Sequence, residues 1–182
     1  IVSYEVPLSF SMIPIVMLAG TLNMSEIVIA QSGGFWNWFI FRNPFTFVGF
    51  FIYFLASLAE NNRAPFDLPE SESELVAGFF TEYSGMRFAF FFLAEYAEMF
   101  LVSAVCVTLF LGGWEGLLGS SFVPGWIIFI FKTILLVTIQ MWFRWTYPRL
   151  RVDQLMSVAW KYLLPISFVN IAGVGILMIV FG

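Results

Sequence analysis

Five apolar runs, each close to the length of a membrane span, set the terms for this chain. They cover roughly 6–29, 44–60, 86–112, 124–144 and 162–181. About 20 apolar residues in a helix cross ~30 Å of hydrocarbon. Inside lipid, a backbone must satisfy its own polar groups, so only helices and closed barrels can span. Hydrophobicity here is continuous rather than alternating, which excludes barrel strands. The expected fold is all-α, a polytopic bundle of about five transmembrane helices with a structured acidic loop between the second and third. No internal repeat or low-complexity linker divides it, so residues 1–182 are read as one membrane domain.

Composition agrees. Sixty per cent of the residues are hydrophobic and only 11% charged, against about 25% charged in soluble domains, and the mean hydropathy is +0.91. A single cysteine, Cys106, and the absence of histidine argue against a zinc, haem or iron–sulfur site built by this chain, and no metal site is expected. Histidine general-base chemistry is excluded. No Gly-rich phosphate loop is present, and the scarcity of basic residues argues against nucleic acid. The start, Ile1-Val2-Ser3-Tyr4-Glu5, has neither an initiator Met nor the pattern of a signal peptide, and reads as the middle of a longer protein.

Punctuation follows the runs. Pro7 stands in the first turn of the first segment, Ser32-Gly33-Gly34 breaks its far end, and Phe35 to Phe41 reads as an interfacial aromatic stretch. Segments 61–87 and 144–161 fall on one side and hold Arg63, Arg87, Arg144, Arg149, Arg151 and Lys161; the other side has only Arg42 in its loops. The positive-inside rule places the first group in the cytoplasm or mitochondrial matrix.

Residues 60–87 contain Glu60, Asp67, Glu70, Glu72, Glu74 and Glu82 against Arg63 and Arg87, a net of −4 that equals the charge of the whole chain. Part of this is ordinary: Asp67 can cap a helix starting near Leu68-Pro69, with Glu70 completing a capping box. Capping does not account for six acids in so charge-poor a protein. Crowded carboxylates in a partly dry site cannot all ionise; they titrate as a coupled set that can hold and pass protons. Within the third segment, Glu95 lies about 16 Å along a helix starting near Ser84. Glu98 follows one turn later on a neighbouring face. Intramembrane carboxylates must be paired, protonated or wet. Proton conduction is one reading; an intramembrane ion pair, Glu98 with Lys132 on the next helix, is the other. Glu5 and Glu60 near helix ends can snorkel to water, and Glu26 reads as interfacial.

The stretch A-E-N-N-R-A-P-F-D-L-P-E-S-E-S-E-L-V-A-G-F-F-T-E-Y-S-G-M, Ala59 to Met86, resembles the acidic loop of the NADH:ubiquinone oxidoreductase chain 1 family, the membrane subunit of respiratory complex I that meets the peripheral arm. F-F-L-A-E-Y (Phe91–Tyr96), R-W-T-Y-P-R-L-R-V-D-Q-L-M (Arg144–Met156), W-K-Y-L-L-P, S-Y-E-V-P-L and M-L-A-G-T-L-N fit the same family, so the resemblance covers essentially the whole chain. Arg87 and Glu98 depart from its pattern.

That resemblance implies an eight-helix protein of which this chain supplies the last five, with the first three on a separate N-terminal polypeptide or a truncated part of the same one. It implies a role for Glu60, Arg63, Asp67, Glu70, Glu72 and Glu74 beside the ubiquinone cavity. Glu82, Glu95 and Glu5 would carry the proton path. Arg144, Arg149, Arg151 and Asp153 would brace the loop or contact peripheral-arm subunits. Ubiquinone would be the substrate, with iron–sulfur clusters and FMN on partner subunits. Other implied partners are neighbouring membrane-arm subunits and lipids. The implied location is the mitochondrial inner membrane, or alternatively a bacterial plasma membrane. Rival readings are a related component of a membrane-bound hydrogenase, a stand-alone proton-coupled transporter and a structural scaffold.

Overall fold

The computed structural model describes residues 2–61, 66, 84–116, 123–148 and 150–181. Among them every regular element is helical: α1 (Val2–Ala19), α2 (Met24–Ala30), a 3-10 turn (Phe35–Asn37), α3 (Phe39–Arg42), α4 (Pro44–Glu60), α5 (Met86–Phe110), α6 (Gly125–Thr146) and α7 (Val152–Val158), then a π segment (Ala159–Leu163) leading into α8 (Leu164–Phe181). The acidic loop expected between the second and third spans falls, apart from its ends and Phe66, outside the described residues.

Three helical rods are long and apolar enough to cross a membrane by length and composition: Met86–Phe110, Gly125–Thr146 and the continuous Asp153–Val180. The first expected span, 6–29, is not one rod. It is a pair, Ser3–Ala19 and Met24–Ala30, bent by 64°, which counts as a fourth span only if the pair is taken together. The bend has a local cause. Gly20 stops α1 at φ +69°, with its N–H on the Val16 carbonyl at 2.8 Å. Asn23 then caps α2, its side chain accepting the Ser25 N–H at 3.1 Å. The expected span at 44–60 is the 17-residue α4, about 25 Å long and so shorter than the hydrocarbon thickness. All five expected apolar segments are helical, as a polytopic bundle requires; among the described residues three are long enough to span alone, the bent pair makes a fourth, and α4 is shorter.

α1 packs on α4 and α8, α4 on α8 and α5, and α5 on α6. Small residues bring the rods together. A Cβ on Gly173 of α8 would collide with the Phe45 ring of α4, and one on Gly49 would stand 2.9 Å from the Asn170 amide nitrogen. In the bundle, the ends of α4 and α6 and all of α7 gather at one end, called the basic end here because it carries Arg144, Arg151 and Lys161. Ile15, Tyr53, Val107 and Phe110 anchor a core cluster toward the opposite end. Tyr4, Phe54, Leu58, Phe66 and Leu155 form a second at the basic end. The aromatic stretch 35–41 divides between two roles rather than lying wholly at an interface: Trp36 and Phe41 are exposed, while Trp38 and Phe39 are core.

The opposite end is closed by one buried amide. Gln31 is fully buried. Its Nε2 donates to the carbonyls of Ile27 at 3.2 Å, Thr108 at 3.1 Å and Leu109 at 3.2 Å. Its Oε1 accepts the N–H groups of Phe39 at 3.2 Å and Gly112 at 3.0 Å. Gly112 and Gly113 take positive φ, +70° and +50°, so that the chain leaving α5 can turn against Trp38 and Val28. Gln31→Leu keeps the volume but strands the Phe39 and Gly112 N–H groups. Each buried orphan costs about 1–3 kcal/mol. The variant is expected to unfold several degrees below the wild type when the purified complex is heated and helix content is followed; an unchanged melting curve would count against the clasp.

Candidate functional site

Helical periodicity builds a slot between α1, α4 and α5. Glu5, Leu8, Ser9 and Met12 of α1, Tyr53 and Glu60 of α4, and Glu98, Leu101, Val102 and Val105 of α5 line a cavity of about 450 Å³. On each helix the lining residues extend over two turns of one face, so the slot runs about 10 Å along the bundle. Chain direction sorts its chemistry. α1 and α5 run away from the basic end and α4 runs toward it, so Glu5, Glu60 and Glu98 all stand at the basic end of the slot. Met12, Tyr53 and Val105 form its apolar floor.

The polar groups are unequally held. Tyr53 is almost fully buried and its hydroxyl donates to the Val102 carbonyl at 3.1 Å, which joins α4 to α5 across the slot. Glu60 is half-buried and its Oε2 is a buried oxygen without a hydrogen-bond partner. Next to it, Asn61 is buried with both amide atoms unpartnered. One turn back on α4, the Ser57 hydroxyl donates to the Phe54 carbonyl at 2.8 Å and receives Gln140 Nε2 of α6 at 3.4 Å. The Gln140 carbonyl oxygen has no partner. Beside it, Met99, Gln140, Met141 and Arg144 enclose about 10 Å³, the room of one water molecule. A polar seam thus runs from Arg144 through Gln140 and Ser57 to the neighbourhood of Glu60. Among the described residues no group of three or more acids, His or Cys comes together closely enough to hold a metal ion.

The structure brings together Glu5, Glu60 and Glu98 from the sequence candidates. Glu95 sits half-buried one turn earlier on α5 and does not line the slot. Arg144, Arg151 and Asp153 are exposed at the basic end; Asp153 lies in the first turn of α7, whose start is closed by the Gln154 side chain accepting the Arg151 N–H at 3.3 Å. Arg63, Asp67, Glu70, Glu72, Glu74, Glu82 and Arg149 lie outside the described residues. Phe66 is buried with Leu58 of α4 and Leu155 of α7.

The expected Glu98–Lys132 ion pair does not form. Lys132 Nζ donates to the carbonyls of Leu111 at 2.7 Å, Gly113 at 3.2 Å and Glu115 at 2.7 Å, which occupies its three N–H donors. It also lies 4.1 Å from the centre of the Trp38 ring, a cation–π contact. These partners are at the opposite end of α5, about 18 Å or more beyond Glu98 at the helical rise. Residue charge alone suggests the pair; the turn after α5 supplies carbonyls that outcompete it. Tyr53, Gln140 and Gln31 are structural findings with no counterpart among the sequence candidates. The signal available was an uncharged amide or phenol inside an apolar run, such as Gln140 in T-I-Q-M-W. In a double-mutant cycle, Lys132→Met and Glu98→Gln are expected to change thermal stability additively, within about 0.5 kcal/mol; a coupling well above that would restore the ion pair.

Geometry and composition define a polytopic helical membrane protein with a carboxylate-lined slot. The chain matches the family described as NADH dehydrogenase over residues 1–175. It is 54% identical to a subunit of the NADH-quinone oxidoreductase of Chlorobaculum tepidum, over 93% of this chain and 51% of that protein. It is 50% identical to the subunit of the same name in Bacteroides fragilis, over 100% of this chain and 52% of that protein. The like-named protein of Carboxydothermus hydrogenoformans is also 50% identical, over 93% of this chain and 47% of that protein. The chain therefore belongs to the NADH dehydrogenase family, among the NADH-quinone oxidoreductase subunits, and it spans about half the length of the curated relatives it matches.

Proposed function

We propose that this chain forms part of the membrane subunit of an NADH-quinone oxidoreductase, respiratory complex I, and that the slot between α1, α4 and α5 carries protons from beside the quinone site into the membrane. The observation that carries this reading is the meeting of Glu5, Glu60 and Glu98 around one cavity at the basic end. Three carboxylates on three helices, opening onto one space with a polar mouth and an apolar floor, can share protons with water in that space and with each other. Glu60 is the entry group, because it closes α4 where the acidic loop begins and has an oxygen with no partner. Glu95, one turn from Glu98, would extend the path toward Glu82 and the loop.

Bound quinone takes up protons as it is reduced; the cavity, within the ~300–1,000 Å³ of ligand sites, and its Leu8, Met12 and Val105 walls also fit an apolar tail. What this chain's residues contribute is narrower. Glu60 and Glu5 hold protons at the mouth, Glu98 receives them, and the Tyr53–Val102 bond keeps α4 and α5 at fixed separation. Glu70, Glu72 and Glu74 would set the charge at the entrance, with Arg63 and Asp67 beside the quinone head. Electrons, FMN and iron–sulfur clusters would belong to peripheral-arm partners. Neighbouring membrane-arm subunits would receive the protons, and the rest of the protein's length would complete the cavity wall. The named relatives are bacterial, which favours a bacterial plasma membrane over the mitochondrial inner membrane.

In the complete complex, Glu60→Gln and Glu98→Gln are each expected to lower proton translocation coupled to NADH oxidation about tenfold. Glu26→Gln, an exposed residue whose carboxylate accepts the Asn23 amide at 3.3 Å, is expected to leave it unchanged. Vesicle pumping assays that find both slot variants at the wild-type rate would sink the reading.

A further inference from the structure

We propose that a cleft at the opposite end of the bundle binds a phospholipid of net negative charge, its phosphate on Arg42 and its acyl chain between α1, α4 and α8. The cleft is about 550 Å³ and is lined by Leu18, Arg42, Asn43, Pro44, Phe45, Leu177 and Met178. Its position follows from topology: the end of α1, the start of α4 and the end of α8 meet there. α8, which forms one wall of the cleft, ends a rod long and apolar enough to cross a membrane, and a lipid headgroup is expected beside the end of such a rod.

Two features make the polar rim anion-selective. Arg42 is exposed at the last residue of α3, its guanidinium 5.9 Å from the Phe39 ring centre, and no acid lines the cleft among the described residues. A guanidinium matches two phosphate oxygens at once and is always charged. Immediately after it, α4 begins at Pro44 with Asn43 as its cap residue and no side-chain cap hydrogen bond. The first turn of this 17-residue helix borders the same rim and adds its partial positive charge there. The two features are held in register by the Thr46 hydroxyl, which lies against the Phe39 carbonyl and, at 2.8 Å, the Asn43 carbonyl. Arg42 is thereby fixed relative to the start of α4.

The walls complete the match. Leu18, Phe45, Leu177 and Met178 offer aliphatic and aromatic surface and no polar side chain. A hydrated inorganic anion would use the rim and leave the walls uncovered; a phospholipid uses both. Arg42 is the basic side chain available to the lipid there, because the ammonium of Lys132 is committed to backbone carbonyls.

The test uses the complete complex reconstituted in nanodiscs of equimolar phosphatidylcholine and phosphatidylglycerol, stripped with detergent, with retained lipid identified by native mass spectrometry. The wild type is expected to retain phosphatidylglycerol over phosphatidylcholine. Arg42→Gln is expected to lower that retention about tenfold, the scale of one charge-assisted contact, and Arg42→Lys to keep part of it. Met178→Trp, which fills the cleft and leaves the charge, is expected to lower retention as well. Equal retention by wild type and Arg42→Gln, or no preference between the two lipids in the wild type, overturns the proposal.

Discussion

A charge in hydrocarbon must be neutralised, paired or wetted, and this one constraint organises the bundle. A carboxylate or ammonium left bare costs several kcal/mol, more than a fold stable by only ~5–15 kcal/mol can absorb repeatedly. The chain meets the demand in two different ways at its two ends. Lys132 is met by structure: three carbonyls of the turn after α5 surround it and Trp38 covers it. Glu5, Glu60 and Glu98 are met by space, a slot of about 450 Å³ that they line together. The first arrangement is rigid. The second leaves three carboxylates around one open space.

Two polar side chains tie the elements together at the end opposite the slot. Gln31 ties the segment between α2 and α3 to the end of α5 through both its carbonyl and its amide, and Lys132 ties α6 to the same turn. With α5 and α6 fixed there, α5 can present its Glu98 face at the basic end without help from an ion pair. Tyr53 then sets the spacing between α4 and α5. Polar residues that look like isolated exceptions in apolar helices are thus the bonds that replace hydrophobic driving force, which lipid largely removes between helices.

Much of this was legible in the sequence, and the failures are instructive. The apolar runs placed α4, α5, α6 and α8 nearly to the residue, because a span has to be long and apolar. They misjudged the first segment, since hydropathy averages over Gly20 and Asn23 and a bend of 64° leaves the average unchanged. The acids Glu5 and Glu60 were recognisable because charge in an apolar chain is conspicuous. Their meeting with Glu98 was not, as it depends on how α1, α4 and α5 turn their faces. Pairing Glu98 with Lys132 failed for the opposite reason. Charge complementarity was visible, whereas the carbonyls of Leu111, Gly113 and Glu115 exist as a binding site only once Gly112 and Gly113 have turned the chain. Gln31 and Gln140 carry no charge and so gave no alarm.

A proton route through Glu5, Glu60 and Glu98 requires water in the slot at the basic end, and thiol accessibility measures this directly. Ser9→Cys and Met12→Cys place thiols on the slot wall, while the native Cys106 is buried and serves as the internal control. In the assembled complex, a charged, membrane-impermeant methanethiosulfonate reagent applied from the side of the basic end is expected to label both introduced thiols, to slow proton translocation as it does so, and to leave Cys106 unmodified. If neither thiol reacts while an Asp153→Cys control at the surface labels fully, the slot is dry, and a proton route through Glu5, Glu60 and Glu98 is contradicted.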